Sequence, residues 1–245
     1  MTAIAFLTRI PVNPSVPFDG DDVARSTAFF PLIGGLIALL QITLLAALTT
    51  LDVPYTLQAI LATVLLVLLC GGLHQDGLAD MADGFGGGHT RDEVLRIMRD
   101  STIGTYGGLA LILSIGLRVS SIALLASVPG GWRWIVVAAI LSRCSICLAW
   151  LLPYARAAGT AASMTALTGP SEVMIAVTTA LVLSLLVLGG HVLTAAFLCG
   201  GCFAVMAWIS YRKITGVTGD TLGATTEVTE VMLLTLGATL ATGIA

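Results

Sequence analysis

Two groups of acidic side chains interrupt a chain that is otherwise strongly apolar. The first group, Asp76, Asp80 and Asp83, directly follows an apolar run. On a helix these positions are spaced i, i+4 and i+7, so their carboxylates lie on one face. Carboxylates that converge repel one another unless a cation neutralises them, and hard oxygen ligands without cysteine suit Mg²⁺ or Mn²⁺. We therefore predict that these three residues bind a divalent metal. The alternative is a solvated acidic turn.

The second acidic group lies near the end of the chain and contains Asp220, Glu227 and Glu230. Their spacing of i, i+7 and i+10 also favours one face of a helix. Ionisable residues inside a membrane segment are usually functional, so we predict that this group shares the metal-binding site. The alternative is a pair of protonated glutamates that bond between helices. His74 precedes Asp76 by two residues, and could orient a nucleophile, accept its proton or bond a carboxylate ligand.

Arginines form the third set of candidate residues. The guanidinium group presents forked donors that suit phosphate oxygens better than lysine does. We predict phosphate binding by Arg9, Arg96, Arg99 and Arg143, with Asp100 in the same Arg99-Asp100-Ser101 sequence. The alternative is that the arginines outside the apolar segments are there only because of membrane topology.

The composition indicates which elements must carry these residues. The chain has 245 residues, of which 57% are hydrophobic and 10% charged, whereas a soluble domain has about a quarter charged residues. We therefore predict an all-α, polytopic integral membrane helix bundle forming a single domain over residues 1–245. About seven segments approach the length of roughly 20 residues that a span needs. They are Phe29–Leu51, Tyr55–Leu73, Gly104–Ser127, Trp132–Leu152, Val173–Gly190, Val192–Tyr211 and Thr225–Ile244.

The polar stretches between these segments predict the orientation. Arg9, Arg91, Arg156 and Lys213 all fall on one side if the spans alternate, and the positive-inside rule makes that side cytosolic. The longest polar stretch, 73–103, contains a capping box from Thr90 to Glu93. We predict a short helix there that lies in the membrane interface. Eleven basic residues over the whole chain do not make a nucleic-acid surface.

Several blocks of this sequence resemble the cobalamin synthase family, whose members are adenosylcobinamide-GDP ribazoletransferases. The blocks extend from near residue 6 to near residue 230, so the resemblance covers nearly the whole chain. They are 6–11 (FLTRIP), 30–34 (FPLIG), 71–80 (GGLHQDGLAD), 83–84 (DG), 98–101 (MRDS) with Gly104, 142–143 (SR), and 219–224 (GDTLGA) with Glu227.

The resemblance implies a Mg²⁺-dependent enzyme of the cell inner membrane whose active site faces the cytoplasm. Its substrates would be adenosylcobinamide-GDP and α-ribazole or its 5′-phosphate, and its products adenosylcobalamin or its phosphate and GMP. Asp76, Asp80, Asp83 and Asp220 would hold the metal, and His74, Asp80 and Glu227 would be catalytic. The sequence leaves open the identity of the base, the number of metal ions and whether the protein is a homo-oligomer.

Two other functions remain open from the residues. Gly72, Asp76 and Asp80 reproduce the G-x3-D-x3-D spacing of CDP-alcohol phosphotransferases, although the upstream part of that motif is missing. A divalent-cation transporter would also use membrane carboxylates, but transporters usually carry repeats or broken helices and place charges at comparable depth from both faces.

Overall fold

A computed structural model describes residues 1–12, 20–156 and 167–242, and they form an all-α fold. Within these ranges we find no β-strand, and a single bridge joins Tyr154 to Val217. The predicted fold class is confirmed. The helices are α1 Thr2–Leu7, α2 Gly20–Ser26, α3 Phe30–Thr50, α4 Tyr55–Cys70, α5 Leu73–Gly87, α6 Arg91–Ile97, α7 Thr105–Ser127, α8 Trp132–Cys147, α9 Pro170–Leu188, α10 Val192–Ile214 and α11 Gly219–Thr242.

Three helical segments in the described ranges are long and apolar enough to cross a membrane. They are Asp21–Thr50, Thr105–Ser127 and Pro170–Ile214, the last containing both α9 and α10. A fourth arises only if α4 and α5 count as one span, and these two helices are bent by 88°. The predicted membrane bundle is confirmed, but its count of about seven spans is not. We treat α5, which carries three aspartates, as lying outside the spans.

Two of the predicted spans, in helices α8 and α11, do not have the length or the apolar surface of a lipid-facing span. Helix α8 has only 16 residues and is almost wholly buried among other helices, so it faces protein rather than lipid. Helix α11 starts at Gly219, before the predicted Thr225, and carries Glu227 and Glu230. The end of that predicted span, residues 243–244, lies outside the described residues, as does most of the polar stretch 153–171.

The outer surfaces of the apolar helices carry large hydrophobic side chains. Ile112 on α7, Leu186 on α9 and Phe197 on α10 are 70%, 78% and 84% exposed. In water such surfaces would drive aggregation, whereas in lipid they face a solvent of their own polarity. The exposed apolar faces therefore support a membrane environment for these helices.

Close packing at small residues brings the two acidic helices together. Helix α5 packs against α11, and a Cβ atom at Gly77 would stand 2.6 Å from the backbone oxygen of Asp220. Only glycine allows this approach, which follows the general use of small residues where membrane helices touch. Gly77 thus places the α5 aspartates beside the first turn of α11.

A glycine pair sets the direction of α5. Gly71 and Gly72 have φ angles of +64° and +72°, in the left-handed region that side chains with a Cβ disfavour. The amide of Gly72 donates to the carbonyl of Val67 and closes the last turn of α4. The chain then turns sharply, and Asp76 follows within the first turns of α5.

The polar ends of α5, α6 and α10 meet at one end of the bundle. Lys213 Nζ donates to the carbonyl of Phe85 at 2.8 Å, and Arg91 donates to the carbonyl of Ile214 at 3.2 Å. The N-cap predicted for α6 is confirmed, because the amide of Glu93 donates to Thr90 Oγ1 at 3.3 Å. These contacts gather the candidate site residues of the long polar stretch around the aspartates.

Candidate active site

The aspartates of α5 and α11 form one acidic cluster at the edge of the bundle. Asp80 is partly buried and has Asp76, Asp83 and Asp220 as acidic neighbours. Burial, followed by the negative charges of Asp76 and Asp220, raises the pKa of Asp80 to about 6. Like charges held this close favour a cation or a proton between them. The structure therefore brings together predicted site residues that are about 140 positions apart in sequence.

Asp220 has a basic partner that the sequence interpretation did not include. Arg156 Nη2 donates to Asp220 Oδ2 at 2.7 Å, in a pair that is only partly exposed. Backbone bonds hold the arginine in place, since the amide of Ala155 donates to the carbonyl of Val217 and the amide of Val217 donates to the carbonyl of Pro153. The only signal in the sequence was that Arg156 falls on the same predicted membrane side as Asp220.

Asp83, predicted as a metal ligand, is bound to the backbone of the next long helix. Its two oxygens accept from the amides of Gly104 and Gly107 at 2.7 and 2.8 Å. These amides belong to the first turn of α7, where N–H groups lack helical partners and the helix dipole favours negative charge. In this structure Asp83 therefore caps α7, and its backbone contacts fix α7 against α5.

Removing this cap tests its structural role. We expect Asp83→Ala to lower the free energy of unfolding by about 1 kcal/mol, as loss of a side-chain cap usually does. Thermal or denaturant unfolding of the purified protein in detergent measures the effect. Asp92→Ala, which removes an exposed carboxylate of α6, is the matched control. Equal stability of the two variants would contradict the capping role.

Glu227, predicted as catalytic, is fully buried and bonded on all sides. Its carboxylate accepts from Gln75 Nε2 at 2.7 Å, from Ser114 Oγ at 2.6 Å and from Arg118 Nη2 at 2.8 Å. Gln75 lies on α5 and the other two lie on α7, so Glu227 joins three helices. Arg118 falls within the predicted span Gly104–Ser127, but no pattern in the sequence pairs it with Glu227.

Arg143, predicted to bind phosphate, belongs to the same buried network. It pairs with Glu230, which also accepts from Arg118 Nη1 at 2.8 Å. Arg118, Arg143, Glu227 and Glu230 are each at most 2% exposed. Two positive and two negative charges balance, as a low-dielectric interior requires. We call these four residues the buried charge network. It lies inside the bundle and connects to the acidic cluster through Gln75, the neighbour of Asp76.

His74 is buried beside the acidic cluster and carries an unpartnered nitrogen. It is 2% exposed, and its Nε2 has no hydrogen-bond partner among the described residues. Burial, followed by the positive charge of Arg143, lowers the pKa of His74 to about 3. The imidazole is therefore neutral near pH 7, and can accept or donate a hydrogen bond without carrying charge.

The other predicted phosphate-binding arginines line two cavities next to the aspartates. Arg9 lies over Gly71 and lines a cavity of about 610 Å³ together with Asp76. Arg96 and Arg99 line a cavity of about 490 Å³ that also reaches Arg156. Arginines thus lie beside Asp76 in the first cavity and, through Arg156, near Asp220 in the second, an arrangement that suits a ligand with several phosphate charges.

Asp100 lies at the exposed end of this region, where it forms a local turn. Its Oδ1 accepts from the amide and the hydroxyl of Thr102 at 3.0 and 2.6 Å. These hydrogen bonds to Thr102 lower the pKa of Asp100, so it is ionised near neutral pH. The side chain shapes the connection from α6 to α7, close to Arg99.

The donor set of the acidic cluster fits Mg²⁺ when substrate completes it. No three His, Cys, Asp or Glu side chains of the described ranges stand close enough to hold a metal by themselves. Mg²⁺, however, is usually held by one or two protein carboxylates, with water and substrate phosphate in its other positions. Asp76, Asp80 and Asp220 supply hard oxygens of this type, and two oxygens of Asp83 are already engaged by backbone amides.

Fold and site together define a membrane-embedded helical protein whose carboxylates and arginines meet at one end of the bundle. A family model described as Cobalamin-5-phosphate synthase matches residues 1–238 of the chain. Curated relatives agree with it. The chain is 42% identical over 243 residues to the adenosylcobinamide-GDP ribazoletransferase of Sinorhizobium medicae, covering 95% of this chain and 92% of the relative. The chain therefore belongs to the Cobalamin-5-phosphate synthase family.

Relatives with the same name occur outside that genus. The Bradyrhizobium diazoefficiens protein is 38% identical over 242 residues, covering 96% of this chain and 91% of the relative. The Shewanella baltica protein is 35% identical over 237 residues, covering 95% and 90%. No solved structure matches the chain. The family predicted from the sequence blocks is confirmed.

Proposed function

We propose that residues 1–245 act as one membrane-embedded catalytic unit that transfers a cobinamide phosphate. The donor is adenosylcobinamide-GDP, and the acceptor is a ribose hydroxyl of α-ribazole or of its 5′-phosphate. A new O–P bond forms between the acceptor and the phosphate attached to cobinamide, and the bond from that phosphorus to GMP breaks. The products are adenosylcobalamin or its phosphate, GMP and the proton of the hydroxyl.

The observation that carries this proposal is the meeting of Asp76, Asp80 and Asp220 between two arginine-lined cavities. Phosphoryl transfer depends mainly on positioning and on neutralising charge at the phosphate oxygens. Arg9 on one side and Arg96 and Arg99 on the other can contact the anionic donor. The names of the relatives support this donor and the transfer of ribazole.

The residues divide into three roles. Asp76, Asp80 and Asp220 would hold Mg²⁺ together with the substrate phosphates. Asp83 would orient α5 and α7, and the lone pairs that its backbone contacts leave free would be available to the metal. When bound, Mg²⁺ neutralises charge on the pyrophosphate and favours departure of GMP. Asp80, which lies partly buried beside Asp76, accepts the hydroxyl proton. Neutral His74 orients the acceptor.

The site faces the cytoplasm in the proposed orientation within the inner membrane. Arginines and a lysine of α6, α10 and the 153–156 segment cluster at the acidic end of the bundle. Cytoplasmic loops of membrane proteins carry such an excess of positive charge. Both substrates are water-soluble at their reacting ends, and they reach this face without crossing the bilayer.

A reconstitution assay tests the proposal directly. Purified protein in lipid vesicles, supplied with adenosylcobinamide-GDP, α-ribazole and Mg²⁺, should release GMP and form a cobalamin product in equal amounts. Replacing Mg²⁺ by a chelator should abolish the reaction, because the carboxylates then repel the pyrophosphate. Chromatography of nucleotides and corrinoids measures both products. Unchanged turnover with the chelator would remove the metal from the proposal.

The same assay discriminates against the alternative functions. A CDP-alcohol phosphotransferase would release CMP from a CDP-linked donor, and a cation transporter would load vesicles with metal in the absence of any nucleotide. The family match favours neither alternative. We expect no product in either of these control reactions.

A further inference from the structure

A small second cavity adjoins the one that contains Arg9 and shares Phe6, Leu73 and Asp76 with it. It measures about 200 Å³ and lies between α1, α5, α8 and α11. One wall is apolar and includes Phe6, Ile146 and Leu222, and the other carries His74, Asp76 and Asp220. A cavity of this size admits a bicyclic aromatic ring but is smaller than the roughly 300–1,000 Å³ of a complete small-molecule site. It therefore fits one part of a larger ligand.

The polar wall of the cavity combines a buried histidine with two aspartates. His74 lines the cavity, is 2% exposed and leaves Nε2 without a partner among the described residues. The ribose of a ligand whose base packs on the apolar wall would therefore lie beside the His74 ring and the carboxylates of Asp76 and Asp220.

The two cavities beside Asp76 differ in charge. The larger one contains Arg9. Among the described residues, the smaller one is lined by two aspartates and by no arginine or lysine, and the nearby Arg156 is already paired with Asp220. Phosphate groups are therefore favoured on the Arg9 side and disfavoured in the small cavity. A corrin ring is far too large for 200 Å³, so the small cavity also excludes the body of the donor.

We propose, building on the proposed function, that the small cavity binds the base of the acceptor nucleoside. The flat, largely apolar benzimidazole of α-ribazole would pack against Phe6, Ile146 and Leu222, and its ribose would reach His74, Asp76 and Asp220. The donor pyrophosphate lies on the Arg9 side. The attacking hydroxyl would then reach the phosphorus from the small cavity while GMP departs on the Arg9 side, so that the attacking and leaving oxygens stand on opposite sides of the phosphorus, as in-line displacement requires.

Narrowing the cavity tests this assignment. Ile146→Phe places a larger side chain on the apolar wall, and we expect the KM for α-ribazole to rise about 10-fold or more, equivalent to 1.4 kcal/mol of lost binding. The KM for adenosylcobinamide-GDP should change less than about twofold, since the donor uses other contacts. Equilibrium binding of α-ribazole alone to the purified protein should weaken by the same factor. Ile42→Phe, in a separate cavity between α3, α7 and α8, is the control.

Widening the cavity gives a second test that does not depend on folding of the first variant. Leu222→Ala should accept benzimidazole ribosides with bulkier ring substituents better than the wild type does, and α-ribazole less well. An unchanged substituent preference, or equal rises in both KM values for Ile146→Phe, would overturn the assignment. GMP release by the wild-type protein distinguishes failure of the proposed function from failure of the cavity assignment. If it is absent, the proposed function fails; if it is present while the variants keep wild-type acceptor kinetics, only the cavity assignment fails.

Discussion

Replacing Asp76 by asparagine is expected to reduce GMP release by on the order of 100-fold or more, the usual scale for losing one charge that stabilises a transition state. Asp76 lines both cavities, so it is the carboxylate best placed to meet donor and acceptor. The change is isosteric, which keeps the packing of α5 against α11. Steady-state kinetics in vesicles measures kcat and KM for both substrates.

The effect should be catalytic rather than structural. Asp76 is exposed, and we expect the midpoint of thermal unfolding to stay within a few degrees of the wild type. The residual activity of Asp76→Asn, measured at increasing Mg²⁺ concentrations, should depend less on Mg²⁺ than the wild-type activity does. Asp21→Asn, at an exposed acid of α2, is the matched control and should keep full activity. Near-normal turnover of Asp76→Asn would remove Asp76 from the metal site.

The second large effect concerns stability. Arg143→Met is expected to destabilise the protein by about 3–5 kcal/mol, because it leaves an uncompensated negative charge in the buried charge network. The double variant Arg143→Met with Glu230→Gln should recover much of this loss. It retains the balanced Arg118–Glu227 pair, whose Nη2 and Oε2 atoms lie 2.8 Å apart. Denaturant unfolding in detergent, evaluated as a double-mutant cycle, measures the coupling.

This experiment also decides between two roles for Arg143. A phosphate-binding arginine, as the sequence predicted, would on replacement raise the KM for adenosylcobinamide-GDP and leave stability almost unchanged. If Arg143 instead belongs to the buried charge network, its replacement would lower the free energy of unfolding. The double variant would then regain both stability and activity. Arg133→Met removes an exposed arginine that lies over Trp132, and serves as the control. Wild-type stability of Arg143→Met would contradict the network role.

The buried charge network has a consequence for the active site because it is attached to α5. Gln75 donates to Glu227, and the next residue along α5 is Asp76. Ser114 and Arg118 connect the same carboxylate to α7, and the amide of Gly107 in the first turn of α7 donates to Asp83. The acidic helix is thus fixed from its buried side and from its C-terminal part. A functional site held by such contacts needs little rearrangement when substrate binds.

Several features were determined by the sequence alone because they depend on neighbours in the chain. The one-sided spacing of Asp76, Asp80 and Asp83 follows from helical periodicity, and the cap of α6 by Thr90 follows from a four-residue pattern. The apolar composition requires a membrane. The sequence blocks also predicted the family, which the comparisons confirm.

Only the tertiary structure decided which charges meet. Arg118 and Glu227 are separated by 109 residues, and Arg156 and Asp220 by 64. No local pattern specifies such pairs, because they depend on how helices pack and on which faces turn away from lipid. Packing likewise assigned both oxygens of Asp83 to the backbone of α7 and buried Glu227 and Arg143 together. Inside a membrane bundle a charged side chain must pair with an opposite charge on another helix. The sequence shows which side chains are charged, but not which of them pair.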